Sequence, residues 1–407
     1  MGKLNLRNLI KNNLIFLKLL SIPRVRGFII SFRLRRIIRL PIIPRRFQYN
    51  FTSQKKVTAY DLEISKRILK FLTVNISENP TPSNLLQNSP WASIVNNQVE
   101  FQRIIESNDA HRLASYLLEA PMKIILAGVL QGDSEYAQLK VSSRYRRVQN
   151  KIVIQRLIRL GNAVGGEIVQ NPEQGQWGLK NLKSFNQLYK NLESKFGLQI
   201  EIPDFFTGLF RVDLGRISWN QVEVMSMNSA MQIKNALGGD TSKVVLEIGA
   251  GIGYTTFWLK KLGFNSIAII DLPHVVAVQA FFLMKAFPQS KIYLHGESKW
   301  DNEYEIAIFP NTISLDQIPL MPNLVFNQDS FAEMSISTTE IFLSWISSFS
   351  RILFYSINHE TEATYDKSAR SQVNITKLMN FRENFRLKSR VPNWIREGYV
   401  DQIWEIK

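Results

Sequence analysis

The 407-residue chain has no cysteine. That excludes disulfides, thiolate metal sites and a cysteine nucleophile, and it points to a reducing compartment. Histidine is nearly as scarce, at four residues. No stretch reaches the roughly 18 uninterrupted apolar residues that a membrane-spanning helix needs. Acidic residues are missing from positions 1–60, which hold 14 Lys and Arg. The rest of the chain has 36 basic and 34 acidic residues, so of the net charge of +16 only +2 falls outside that stretch. The basicity therefore belongs to an N-terminal arm and says little about the main body. Apolar residues make up 45% of the chain, too many for a disordered protein, and the length allows two domains with buried cores.

The arm, residues 1–56, alternates apolar runs with cations: Leu14-Ile-Phe-Leu17, Lys18, then Gly27-Phe-Ile-Ile-Ser-Phe-Arg-Leu-Arg-Arg-Ile-Ile-Arg39. It lacks the marks of a signal peptide. Lys18 interrupts the apolar stretch, Arg24 and Arg26 follow it, and no small-x-small cleavage site occurs. Leu6 stands where myristoylation wants Ser or Thr. The pattern fits a segment lying on an anionic membrane face, a helical arm packed on its own protein, or a nucleic-acid contact. Aromatics for base stacking are sparse, which disfavours the third. A cytoplasmic protein is expected, with the inner membrane face as its one membrane partner.

No internal repeat is visible. Pro41, Pro44 and the polar stretch 50–56 close the arm, and residues 77–83 form a second, turn-rich break. Apolar residues then recur at three- and four-residue spacing in Phe101–Glu106, Arg112–Leu118 and Val153–Leu160, which predicts helices. Residues 57–235 thus read as a mainly helical, substrate-side or lid domain. From position 236 short apolar runs alternate with amphipathic stretches, the mark of a parallel sheet with crossover helices. Strands are predicted at 244–248, 266–270, 291–294, 324–327 and 351–357, with 306–309 as an extra one. Helices are predicted at 254–262, 273–287 and 341–349, and 385–390 with 399–406 as a closing pair.

The third Gly of the dinucleotide fingerprint is also missing. Leu246-Glu-Ile-Gly-Ala-Gly-Ile-Gly-Tyr254 follows a predicted strand and opens a predicted helix, but its spacing is G-x-G-x-G and Tyr254 holds the sixth position. Gly249, Gly251 and Gly253 let backbone N–H groups approach a ligand closely. Glu247 precedes the turn as in the E/D-x-G-x-G-x-G pattern of methyltransferases, where a carboxylate reaches the methionine end of S-adenosylmethionine. A nicotinamide enzyme and a turn without a ligand are the rivals. Asp271 ends the next strand, where a carboxylate can accept ribose hydroxyl hydrogens or cap the following helix. Leu272 adjoins it. His295-Gly-Glu297 follows the third strand, where Glu297 is a candidate for the adenine end. Asn327 ends a later strand at the sheet edge where open α/β sheets bind ligands. Asn327-Gln-Asp-Ser330 lacks both prolines of the tetrad found in base-amine methylases, which disfavours that chemistry and favours O-methylation.

Residues 242–407, and more loosely 100–235, resemble the bacterial sugar O-methyltransferase family. The shared features are the Gly-rich turn, Ile270-Asp-Leu-Pro273, Gly296-Glu297, Asn323-Leu-Val-Phe-Asn-Gln-Asp-Ser-Phe-Ala-Glu-Met334, Tyr355-Ser-Ile-Asn358 and Pro392-Asn-Trp-Ile-Arg-Glu-Gly-Tyr399. The resemblance implies a Rossmann-like methyltransferase sheet, mostly parallel with an antiparallel last strand, in residues 236–407. It also implies methyl transfer from S-adenosylmethionine to a sugar hydroxyl in glycan biosynthesis. The basic arm has no counterpart in the resemblance.

A sugar hydroxyl is a poor nucleophile until a base removes its proton. His359 and Asp329, each just after a strand, are the candidate bases. Glu333 reads as a structural partner to a backbone loop, and His274 sits near the ribose. Arg144, Arg146 and Arg147 could grip an acceptor's phosphate or carboxylate, or could be a solvated helix face. Trp177, Trp219 and Asn220 could contact a sugar, or be structural. No metal-ligand spacing is present, so a metal-independent enzyme is expected, with scattered Asp and Glu the one source of a Mg²⁺ site. Two other functions fit: a methyltransferase acting on a lipid or other membrane-associated acceptor, and a non-catalytic binding protein on a methyltransferase scaffold.

Overall fold

A computed structural model describes residues 48–78, 90–171, 173–174, 184–301, 303–365 and 370–407. Most of the basic arm, Trp177 and part of the 77–83 break lie outside the described residues. Among the described residues no helix is long and apolar enough to cross a membrane.

The first half is built mainly of helices. Thr58 starts α1 (Ala59–Leu72) with a reciprocal cap: its hydroxyl accepts the Asp61 N–H, and the Asp61 carboxylate accepts the Thr58 N–H. There follow α2 (Pro90–Asn96), α3 (Val99–Glu106), α4 (Ala110–Leu118), α5 (Gly132–Val141), α6 (Ser143–Ala163), α7 (Phe185–Phe196) and α8 (Gln221–Ala236). The periodic segments at 101–106, 112–118 and 153–160 thus fall within helices. The sequence pattern gave no sign of the small antiparallel sheet that ties the end of the arm to this region. Its strands are β1 (Tyr49–Phe51), β2 (Phe210–Asp213) and β3 (Ser218–Trp219), in the order β1-β2-β3.

The second half holds an eight-stranded sheet. Its strands are β4 (Val245–Ile248), β5 (Ile267–Asp271), β6 (Ile292–Leu294), β7 (Ile306–Pro310), β8 (Leu324–Gln328) and β9 (Ile352–Asn358). A separate hairpin, β10 (Ala363–Tyr365) with β11 (Arg370–Gln372), intervenes before β12 (Phe385–Pro392) and β13 (Val400–Ile406). The order is β12-β13-β9-β8-β4-β5-β7-β6. All neighbours from β6 to β9 run parallel, and β13 runs antiparallel to both β9 and β12. This is the mostly parallel sheet with an antiparallel closing strand expected of a Rossmann-like methyltransferase fold. β7 was expected only as an extra strand. It lies inside the sheet, between β5 and β6, rather than being an extra strand. Its five buried residues take the inner place, and the three-residue β6 takes the edge, where a short strand leaves fewer unpaired backbone groups.

Successive strand residues face opposite sides, so the sheet buries two apolar layers. Val245, Ile267, Ile269, Ile308 and Phe326 face α8, α9 (Tyr254–Lys261) and α10 (Pro273–Ala286), in a core that continues into the helical half. Leu246, Ile248, Ile270, Val325 and Phe354 face the other way. That side is covered by the one-turn α11 (Ser330–Glu333), α12 (Ile336–Ser347) and α13 (Ile375–Asn380). A smaller apolar cluster joins the two halves, where Leu272 and Val275 meet Trp91, Ala92, Val95 and Val129.

Candidate active site

The carboxyl ends of β4, β5, β7 and β8 open into a cavity of about 290 Å³. Glu247, Gly249, Gly251, Asp271 and Leu272 line it from the sheet, and Trp91, Val129, Met225 and Arg156 from the helical half. Two of the turn's glycines are required by their surroundings. Gly249 has φ +76°, and a Cβ there would lie 2.2 Å from Ser330 Oγ; Gly251 has φ +60°, and a Cβ there would lie 3.1 Å from Val129.

Glu247 is 3% exposed. It lies on the α9 side of the sheet, where the Thr256 hydroxyl donates to its Oε2 at 3.1 Å. Among the described residues no cation lies within ion-pair distance of it. Burial without a counter-charge pushes its carboxyl up to about 7. Asp271 accepts the Leu272 N–H at 2.8 Å on Oδ1, and the Gly251 N–H at 3.2 Å and Gln279 Nε2 at 2.6 Å on Oδ2. The Ala250 N–H bears on this carboxylate as a fourth donor. Burial raises this carboxyl too, against the pull of those donors.

Asn327 and Glu297 stand elsewhere. Asn327 is fully buried. Its Nδ2 donates to the Ile248 carbonyl at 2.9 Å and to Ser330 Oγ at 2.5 Å, and its Oδ1 accepts from Asn358 Nδ2 at 2.9 Å. Ser330 in turn donates to the Ile248 carbonyl at 3.1 Å. Asn327 and Ser330 thus brace the strand end beneath Gly249; Ser330 also lines the cavity, and Asn327 does not. Glu297 is held by Arg67 of α1, with Nε to Oε1 at 2.5 Å and Nη2 to Oε2 at 2.8 Å. Because β7 lies between β5 and β6, the loop after β6 is one strand farther out than expected. Asn311, just after β7, lines the cavity in its place. Its N–H donates to the Asp271 carbonyl at 2.8 Å, and among the described residues its side-chain Oδ1 has no partner.

The far end of the cavity is charged. Asp329 has φ +66°, rare for a residue with a side chain. It forms no side-chain cap on α11 and receives Arg396 Nη1 at 2.5 Å. The Arg396 guanidinium lies 3.6 Å from the centre of the Tyr399 ring. Glu333 lines the same end. Burial, then the Asp329 charge, push its carboxyl up to about 7, against the opposing charge of Arg396. His359 packs edge-on against Tyr399, 5.7 Å between ring centres, and lies outside the cavity lining. Burial lowers its pKa. His274 is buried in the first turn of α10 with Nε2 unpartnered, and burial depresses it to about 3.

The other sequence candidates have structural work. Arg146 donates to the Leu139 and Lys140 carbonyls, Arg147 is exposed, and neither these nor Arg144 line the cavity. Trp219 is fully buried, and its Nε1 donates to the Tyr189 hydroxyl at 3.2 Å. Asn220 caps α8. Sequence reasoning missed Arg156, one residue of a helix rich in arginine, and missed Arg396 and Asn311. Arg396 stood inside Pro392–Tyr399, so a signal for it existed. Among the described residues no group of three or more His, Asp and Glu is placed to hold a metal ion.

No family model matches the chain. No curated protein matches it either. Solved structures do, over under half of its length. One is the glycopeptide N-methyltransferase MtfA complexed with S-adenosylmethionine, at 14% identity and a TM-score of 0.34, covering 45% of this chain and 94% of that one. Another is the Burkholderia thailandensis 1,6-didemethyltoxoflavin-N1-methyltransferase with bound S-adenosylhomocysteine, at 15% and 0.33, covering 45% and 78%. A third is the PH0226 protein of Pyrococcus horikoshii OT3, at 10% and 0.35, covering 46% and 92%. Likenesses of this size add nothing to what the strand order of this chain itself shows.

Proposed function

We propose that the protein is an S-adenosylmethionine-dependent methyltransferase whose acceptor is a sugar hydroxyl. In this reading residues 236–407 hold the cofactor and residues 57–235 roof the acceptor. The observation that carries the reading is the gathering of Glu247, the Gly249–Gly251 part of the turn and Asp271 in one cavity at the carboxyl edge of a parallel sheet, with Gly253 outside its lining.

The donor set fits the cofactor. Glu247 is a buried carboxyl without a cation, so an ammonium such as that of the methionine moiety would relieve its desolvation. Asp271 lines the cavity at the end of β5, where a ribose hydroxyl would share its oxygens with the chain's own donors. Asn311 offers an unpartnered amide oxygen after β7, where an adenine amino group would find an acceptor. Leu272 and Val275, packed on Trp91 and Val129, supply an apolar wall. When bound, the cofactor supplies an electrophilic methyl group.

The chain's remaining task is to orient an acceptor oxygen and take its proton. Glu333 suits the second role better than either base named from the sequence. Its carboxyl faces the cavity and is held near neutrality, whereas Asp329 is committed to Arg396 and His359 lies behind Tyr399. Asp329 and Arg396 act as positioning residues at the acceptor end. The resemblance of residues 323–334 and 392–399 to sugar O-methyltransferases supports the hydroxyl acceptor. The test is transfer of labelled methyl from S-adenosylmethionine to a panel of sugars, with amines and lipids as comparison. Exclusive transfer to amines or lipids would overturn the acceptor class, and cofactor binding without transfer to any acceptor would favour the non-catalytic alternative.

A further inference from the structure

A second cation stands in the cavity without a counter-charge. Arg156 projects from α6 into the end of the cavity that holds Asp329, Glu333 and Arg396. Among the described residues its one hydrogen bond runs from Nη1 to Gln221 Oε1 at 2.9 Å. Among the described residues no carboxylate lies within ion-pair distance of it; Asp329 is already paired with Arg396. A partly buried guanidinium with one neutral partner is costly, since it has five N–H donors in a planar fork. The surroundings show that cost. Burial, then the like charge of Arg396, lower its pKa to about 9, against the attraction of Asp329.

Such a fork suits an oxyanion, which it can bind through two parallel hydrogen bonds. We propose that Arg156 binds an anionic group on the methyl acceptor, a carboxylate or a phosphate, so that the acceptor is an acidic or phosphorylated sugar. This rests on the methyltransferase reading of the same cavity. The arrangement then has a division of labour. Arg156 anchors the acceptor's anion, with Gln221 holding the guanidinium in place. Arg396 is neutralised by Asp329 and leaves the anion site to Arg156. Glu333 is left facing the acceptor hydroxyl.

The test uses the full-length protein and the variants R156M and R156K. Calorimetry measures S-adenosylhomocysteine affinity. Melting-temperature titrations at constant ionic strength compare glucose, glucuronate and glucose 1-phosphate, on the protein alone and with S-adenosylhomocysteine. The expected result is that wild type responds to one or both anionic sugars and not to glucose. R156M should lose that response by at least about tenfold while keeping its S-adenosylhomocysteine affinity. R156K, with a point charge and no fork, should fall between. Without ligand R156M should melt no lower than wild type, because a partly buried cation without a counter-charge has been removed. Glucuronate alone, or glucose 1-phosphate alone, would identify the anion. The inference is overturned by an equal response to glucose in wild type, or by unchanged anion binding in R156M. Loss of S-adenosylhomocysteine affinity in R156M would also overturn it, since Arg156 would then hold the cofactor's own carboxylate. If wild type binds no S-adenosylhomocysteine, the methyltransferase reading fails, while the titrations on the protein alone still decide whether Arg156 is an anion site.

Discussion

Ser330 explains why position 249 must be glycine, and the reason reaches across the sheet. The hydroxyl that braces the Ile248 carbonyl occupies the space a Cβ would need. Gly249→Ala should cost about 2–4 kcal/mol, part left-handed backbone strain and part overpacking. Ser330→Gly should recover the packing part and leave the backbone part, and a double-mutant cycle in urea would read the two. Glu247 makes a different prediction. Its carboxyl holds its proton more tightly in the folded state, so its stabilising contribution is complete below about pH 4 and is lost as pH rises to about 7. Glu247→Gln should therefore be more stable than wild type at pH 8, by about 3 kcal/mol, with the difference gone near pH 4. The same variant should bind S-adenosylmethionine more weakly, and those opposed signs distinguish a ligand site from a packing site. For Glu333, a base must be deprotonated, so the wild-type rate should fall below about pH 7. Glu333→Gln should lower kcat roughly 10²–10⁴-fold without changing cofactor affinity. A flat profile across neutrality would rule this role out.

Among the elements, β7 decides where the sequence reading and the structure part. The Gly-rich turn, the strand before it and the helix after it were legible because a run of buried apolar residues, three glycines at fixed spacing and an amphipathic stretch are local signals. So was Asp271, since it ends the next such strand. Strand order is not local. Ile292–Leu294 and Ile306–Pro310 are both short and apolar, and nothing within either says which pairs with β5. Both are buried in the assembled sheet and length separates them, the five-residue β7 lying inside and the three-residue β6 at the edge. Glu297 was misplaced for that reason. Its carboxylate ties α1 to the sheet edge, so Glu297→Gln should leave S-adenosylmethionine affinity unchanged in calorimetry. It should reduce stability by less than about 1 kcal/mol, as for a partly exposed ion pair. Arg156 was illegible for a related reason. Arg144, Arg146, Arg147, Arg156 and Arg159 all lie on α6, and only the packing of that helix on α8 aims one of them at the cavity.

In the whole molecule, the helical half and the sheet share one continuous core, and the cavity forms where they meet. Neither half makes it alone. The sheet half supplies Glu247, Asp271 and the glycine turn, and the helical half supplies Trp91, Val129, Glu135, Met225 and Arg156. The most direct test of the central claim is a calorimetric titration of the full-length protein with S-adenosylmethionine, beside Asp271→Ala. The expected result is one site per chain in wild type and at least tenfold weaker binding in the variant, about 1.4 kcal/mol or more. Absence of binding to wild type at millimolar ligand, or equal affinity in the two proteins, would contradict it.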